Sequence, residues 1–449
     1  MKNGKRSSFS GKLGYVLAAA GASVGLGNIW RFPYLAAKYG GGIFLIIYIV
    51  LALTFGYTMI VAETAIGRMT RKSPVGAFKS FGKKKWLSFG GWINAVIPVL
   101  IVPYYSVIGG WVIKYLVEYF RGNAKQLAED GYFTDFISNG VSTELCFMAF
   151  CAFTLIIIFA GVQNGIERVS KIMMPILIVL SVIIAVYSVT RPGALAGVKY
   201  FLVPNVKNFS WMTVVSAMGQ MFYSLSIAMG ILITFGSYMK KDTAIEDSTR
   251  NVEVFDTGIA IMAGLMIIPA VFAFSGGDPN TLQAGPSLMF ITIPKVFQNM
   301  GFGTVIGIVF FLLVLFAAVT SSIALTESAV STFEDELGWG RKKATVLVGV
   351  IMLALGSLSS LGYGPLAGIK IIGMQFLDLF DFLTNSVMMP IAALLTSLLV
   401  SRVVGIDKIE DEIIHGESAF RRKKVFVVMI KYLCPVFAII ILLSSVANA

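Results

Sequence analysis

Two apolar stretches of the chain are interrupted midway by small and polar residues, Gly21-Ala22-Ser23-Val24-Gly25-Leu26-Gly27-Asn28 in one and Tyr223-Ser224-Leu225-Ser226-Ile227-Ala228-Met229-Gly230 in the other. Lipid cannot hydrogen-bond an unwound backbone, so such breaks persist at membrane depth only where they line a cavity or grip a ligand. Gly25 and Gly27 let the backbone leave helical geometry without steric penalty. That frees carbonyls, which are hard oxygen ligands suited to an alkali cation. It also leaves the following half-helix aiming the partial positive charge of its N-terminus at an anion. Asn28 adds a side-chain oxygen, so one broken helix could hold a cation and a carboxylate side by side. Asp256 lies in the middle of a further apolar stretch, where an ionisable residue is costly and marks function by default. Read singly, Gly21 or Gly25 would only permit close helix packing, and Thr320-Ser321 would be a helix-to-helix hydrogen-bonding pair.

The composition sets the environment in which these residues work. The 449 residues are 57% hydrophobic and 13% charged, with a mean hydropathy of +0.82, outside the range of water-soluble domains. The first apolar stretch, Leu13 to Ala37, is too long for a signal peptide and lacks a cleavage site, so it reads as the first span. A net charge of +12 does not indicate nucleic acid, because the basic residues cluster in short connections rather than in one patch. Cys146, Cys151 and Cys434 have no metal-ligand spacing and read as small buried hydrophobes. His415, the single histidine, sits in a charged loop, which leaves no histidine relay for an enzyme.

At roughly 20 apolar residues per crossing, eleven spans are predicted, at 12–37, 41–69, 89–120, 143–160, 166–190, 212–239, 247–274, 303–335, 343–361, 374–401 and 424–446. An odd number puts the termini on opposite sides. With the N-terminus inside, most of the 36 lysines and arginines fall on the cytoplasmic side, among them Lys83, Lys84, Lys85, Lys240, Lys241 and the run from Arg421 to Lys424. The breaks fall in spans 1 and 6, and an offset of five reverses the direction of crossing. The expected architecture is an all-α polytopic membrane protein, one transporter domain over 1–449. It has an inverted five-plus-five repeat (12–190 and 212–401), broken helices 1 and 6, and an additional helix at 424–446. Two external connections look structured. Gly122 to Ser142 is polar, and Gly276 to Phe302 has an apolar helical core from Ser287 to Phe297, either a lid or a helix packed on the bundle surface.

The string Gly25-Leu26-Gly27-Asn28-Ile29-Trp30-Arg31-Phe32-Pro33 resembles the signature of the neurotransmitter:sodium symporter family, specifically its bacterial amino-acid members with the leucine-transporter-type fold. The resemblance continues through Gly40-Gly41-Gly42, Glu63 with Gly67-Arg68, Tyr104-Tyr105, Gly219-Gln220, Phe222 to Ser226, Thr320-Ser321-Ser322 and Phe333 to Leu337. It implies two sodium sites. The first would use the Ser23 carbonyl, the Asn28 side chain, Ser224, Asp256 and the substrate carboxylate. The second would use carbonyls of Gly21, Val24 and Ala317 with the hydroxyls of Thr320 and Ser321.

The same resemblance places an amino-acid carboxylate against the backbone of Gly25, Leu26 and Gly27 and the Tyr105 hydroxyl. Ala22, Ile101, Tyr105, Tyr223, Ser226, Met229 and Leu325 would line the side-chain pocket, with Ser224 and Ser321 beside it. A neutral hydrophobic or aromatic amino acid suits that lining. Amine-transporting relatives carry an aspartate where this chain has Gly25, which argues for amino acids. Where relatives carry a second carboxylate or a chloride-binding serine this chain has Ala260, which implies that Asp256 itself balances sodium and that transport ignores chloride.

Arg31 and Asp381, above Tyr223, match the family's outer gate, and Arg6 with Asp335 its cytoplasmic gate; viewed alone, either pair could be surface charges. Gly165 and Pro175 resemble an element that unwinds to hydrate the second sodium, and Glu63 is expected to accept hydrogen bonds from the unwound backbone of span 1. Glu253 and Glu327 have no assigned role. The implied function is sodium-coupled symport, not catalysis, importing neutral hydrophobic or aromatic L-amino acids across a bacterial inner membrane, with the N-terminus cytoplasmic and the C-terminus outside. The alternative is a sensor or channel on the same bundle, although a channel calls for a continuous polar lining and a sensor for a signalling domain.

Overall fold

The computed structural model describes residues 6–277 and 285–447, so residues 278–284 of the connection Gly276 to Phe302, and Asn448 and Ala449, lie outside the described residues. The first apolar stretch forms α1 (Lys12–Ser23) and α2 (Gly27–Lys38), which meet at 53°. Then come α3 (Gly42–Thr70), α4 (Lys85–Phe120), α5 (Gly140–Phe159) and α6 (Val162–Val189). α7 (Trp211–Ser224) and α8 (Ile231–Tyr238) flank the second break. α9 (Ile245–Ser275), the short α10 (Leu288–Gln298), α11 (Gly303–Leu337), α12 (Arg341–Leu361), α13 (Phe376–Val404), α14 (Ile406–Ile414) and α15 (Lys423–Ala447) complete the bundle.

Among the described residues, nine helices are long and apolar enough to cross a bilayer, ten when α1 and α2 count as one bent span. α7 packs along the first half of α3 and α8 along its second half. The pair thus follows the length of a full span, which is compatible with an eleventh crossing. Observed ends depart from the predicted ones by a few residues, mostly outward: α4 begins at Lys85 and α13 runs on to Val404. Helical hydrogen bonding continues into the polar interface, where hydropathy no longer reports it.

Burial sorts the helices. In its most apolar window α4 is 78% buried, packed against α11, α5 and α12, whereas α6 and α15 are only 33% buried. The latter two therefore present side chains such as Val179, Val186, Leu443 and Val446 to lipid. α6 stays wound past Gly165 and Pro175, with one wide turn over Val162–Glu167. The polar connection after α4 folds into two short helices, Ala124–Leu127 and Tyr132–Ser138. α10 is docked rather than loose. Its Phe290 ring stacks on Phe133 at 5.1 Å, and its Phe290 carbonyl accepts the Tyr115 hydroxyl at 2.7 Å.

Candidate functional site

α1 stops at Ser23, and Val24 leaves helical geometry with an extended backbone. The freed groups are taken up one by one. The Gly25 N–H donates to Asn28 Oδ1 at 3.2 Å, the Leu26 N–H to the Tyr105 hydroxyl at 3.3 Å, and the Gly27 carbonyl accepts Gln220 Nε2 at 3.1 Å. Glycine is required at two of these positions by close approach. A Cβ on Gly27 would lie 2.3 Å from the Tyr223 ring, and one on Gly25 would lie 2.7 Å from Ser321 Oγ.

In the second break Ser226 (φ 52°) and Ala228 (φ 59°) adopt the left-handed region alongside Gly230 (φ 71°). Such residues each cost about 1–3 kcal/mol and persist only where the surroundings over-determine them. Here the Ala228 N–H donates to Glu63 Oε1 at 2.7 Å, and Ser226 Oγ donates to the Ala22 carbonyl at 2.9 Å, tying the two breaks together. Glu63 was expected to serve the break in span 1. It serves the one in span 6 instead, because the Gly25 and Leu26 N–H groups are already taken by Asn28 and Tyr105.

Between the breaks lies a cavity of about 30 Å³, room for roughly two waters. Ala22, Ser23, Gly25, Leu26, Gly27 and Asn28 of the first break line one side, and Tyr223, Ser226 and Met229 of the second line another. Ile101 and Tyr105 from α4, with Ser321 and Leu325 from α11, close it. Ile231, not singled out from the sequence, also borders it, whereas Ser224 stands behind the wall with Asp256.

Asp256 is fully buried and meets no cationic side chain among the described residues: Asn28 Nδ2 donates to its Oδ1 at 2.8 Å, Ser224 Oγ at 2.8 Å, and the Tyr48 hydroxyl to its Oδ2 at 2.9 Å. The Asn28 oxygen points the other way, to the Gly25 N–H, so offering it to a cation beside Asp256 would take a turn of the amide. Around the other suggested site, Ser321 Oγ lies 3.3 Å from the Gly21 carbonyl, 3.1 Å from that of Ala22 and 3.4 Å from that of Val24. Thr320 Oγ1 bonds the Ala317 carbonyl at 3.2 Å. Tyr48 is not singled out by the sequence, because a tyrosine in an apolar run carries no spacing signal of its own, and Gln220 enters only through the Gly219-Gln220 string, without a role.

The two ends of the bundle differ. At one end Arg6 donates to Asp335 at 2.6 Å, to Ser331 at 2.8 Å and to Ser237 at 2.9 Å, and lies 5.0 Å from the centre of the Tyr238 ring. Phe9 is buried beside it against Tyr15, Phe235 and Tyr238. At the other end Arg31 and Asp381 face one vestibule but form no ion pair with each other. Arg31 lies over the Tyr223 ring at 5.3 Å, while Asp381 accepts the Tyr104 hydroxyl at 3.1 Å and Asn385 Nδ2 at 2.5 Å. Glu327 is held by Arg341 at 2.6 Å and by the Tyr238 hydroxyl at 2.7 Å, and Glu253 by Arg422 at 3.3 Å.

Paired broken helices around a shared cavity, with an ion-pair cluster at one end, are the arrangement in which membrane transporters hold their cargo. The model of the sodium:neurotransmitter symporter family matches residues 6–130 and 117–449, and the chain belongs to that family. An uncharacterized sodium-dependent transporter, YhdH of Bacillus subtilis, is 34% identical over 99% of both chains. An uncharacterized sodium-dependent transporter of Methanocaldococcus jannaschii is 31% identical over 91% of this chain and 84% of its own. The crystal structure of MhsT in complex with L-phenylalanine superposes with a TM-score of 0.88 at 34% identity, covering 98% of this chain and all of that one. This chain is accordingly a multi-pass membrane protein and a sodium-coupled transporter.

Proposed function

We propose that the protein imports a neutral hydrophobic or aromatic L-amino acid together with two sodium ions, by alternating access and independently of chloride. The observation that carries this reading is the uncharged cavity between the two breaks, flanked by the Asp256 carboxylate. The zwitterion's carboxylate would lie against Gly25, Leu26, Gly27 and Tyr105, and its side chain against Ile101, Tyr223, Ser226, Met229 and Leu325. One sodium would sit among Ser23, Asn28, Ser224, Asp256 and that carboxylate. The other would sit among Gly21, Val24, Ala317, Thr320 and Ser321. Asp256 would supply the negative charge that other members obtain elsewhere. The L-phenylalanine bound by the relative of known structure fits this substrate class.

The cavity is too small for such a side chain as it stands, and Met229, unbranched and adaptable, would move to admit it. Each sodium moving down ~100 mV yields about 2.3 kcal/mol, and a tenfold gradient adds about 1.4 kcal/mol. Two ions thus support accumulation on the order of a thousandfold or more. Under this proposal the membrane is a bacterial inner membrane, with Arg6 and Asp335 on the cytoplasmic side. The test is uptake of a panel of radiolabelled amino acids into proteoliposomes with an inward sodium gradient, repeated with potassium for sodium and with gluconate for chloride. Uptake that needs sodium and ignores chloride supports the proposal. Binding without accumulation would turn it towards a sensor.

A further inference from the structure

Away from the central cavity, a polar cleft of about 560 Å³ opens where α9 begins and the connection after α14 runs into α15. It is lined by three arginines and three carboxylates, which differ in how far the protein itself satisfies them. Glu246 accepts the backbone N–H groups of Arg421 and Arg422 at 2.8 and 2.9 Å and the Tyr57 hydroxyl at 3.0 Å. Glu417 accepts the Asp247 N–H at 2.9 Å, and Asp247 is bonded by Lys12. Arg422 is held by Glu253 and by the face of Tyr57. The guanidinium groups of Arg250 and Arg421 line the cleft and make no hydrogen bond or salt bridge among the described residues, their charge acting on Asp247 beside them. Each carboxylate of the cleft accepts a hydrogen bond or ion pair from the protein, whereas these two guanidinium groups keep their donors, which suit a phosphate group.

The lipid-facing surface begins immediately beyond. Val254, one turn past Arg250 on α9, is 65% exposed, and Val428 on α15 is 50% exposed. At the start of α15 Lys424 is exposed, and Lys423 is paired with Glu410. We infer that this cleft binds the phosphate of an anionic phospholipid, with Arg250 and Arg421 on the headgroup and the acyl chains along Val254 and Val428. Attraction of basic side chains to anionic headgroups supplies the affinity, and the apolar rim supplies the preference for a lipid over a free anion. The leaflet is the cytoplasmic one under the orientation proposed above, but the binding itself does not depend on that orientation or on the transported substrate.

The test is native mass spectrometry of the full-length protein stripped of lipid in detergent and titrated with phosphatidylglycerol, with phosphatidylcholine and with inorganic phosphate. The same titration of Arg250→Gln/Arg421→Gln and of Arg250→Lys/Arg421→Lys completes it. Wild type retains phosphatidylglycerol in preference to phosphatidylcholine, and the glutamine variant binds it about thirtyfold more weakly, the usual contribution of two basic groups near a headgroup. The lysine variant keeps most of the affinity, which separates charge recognition from a folding defect. Equal retention by wild type and the glutamine variant overturns the inference. Protection by inorganic phosphate equal to that by phosphatidylglycerol overturns the lipid as its source. Sodium-driven uptake is read separately, so failure of the transport proposal leaves this result interpretable.

Discussion

Asn28 and Asp256, 228 residues apart in the chain, are joined by a 2.8 Å hydrogen bond in which the amide nitrogen donates to the carboxylate. The Asn28 NH2 thereby stands beside the carboxylate where a cation is proposed to bind, and Ser224 and Tyr48 supply the remaining donors. A buried carboxylate satisfied only by neutral donors keeps an unbalanced charge, which a bound sodium ion would neutralise.

Asp256→Asn removes that charge while preserving shape. Uptake should fall at least about tenfold, a loss of about 1.4 kcal/mol or more, in chloride and in gluconate alike, because Ala260 offers chloride no hydroxyl. Wild-type uptake should not change with chloride. Sodium-dependent uptake in chloride and in gluconate, measured side by side, decides it.

The inner cluster should hold the cytoplasmic path shut. Arg6→Ala removes the bonds to Asp335, Ser331 and Ser237 together. With one charge-assisted bond in a half-exposed setting worth about 1 kcal/mol, labelling of a cysteine introduced on the inner path should quicken by roughly fivefold to tenfold. Arg31→Ala should leave that rate unchanged, because Arg31 lies over Tyr223 at the opposite end and, among the described residues, joins no ion pair.

Glu63 holds the second break through the Ala228 N–H. Glu63→Gln keeps an acceptor oxygen and should retain transport. Glu63→Ala leaves a buried N–H without a partner beside two left-handed residues, and should cost about 1–3 kcal/mol, read as a lower thermal midpoint in detergent with uptake lost.

Gly25→Ala and Gly27→Ala should each abolish uptake while the protein still reaches the membrane. The added methyl on Gly25 meets Ser321 Oγ at 2.7 Å and that on Gly27 meets the Tyr223 ring at 2.3 Å, both on the cavity wall. Saturation binding of labelled substrate to the purified variants, with expression measured in parallel, separates a blocked cavity from a missing protein.

Much of this was legible in the chain alone. The spans follow from apolar length, because each crossing must satisfy its own backbone in lipid. The two breaks follow from glycine and polar residues where such length should be uninterrupted. Their motif strings brought Gly21 to Asn28 and Tyr223 to Met229 into view before any coordinate. What only the tertiary structure decided are contacts between residues far apart in sequence, for which local pattern carries no information. Examples are Tyr48 on Asp256, Gln220 on the Gly27 carbonyl, Glu63 on Ala228 rather than on span 1, and Arg31 over Tyr223 rather than on Asp381. Hydropathy and glycine placement report what a segment must do with its own backbone. Which distant side chain completes it depends on how the helices pack, and that is settled in three dimensions.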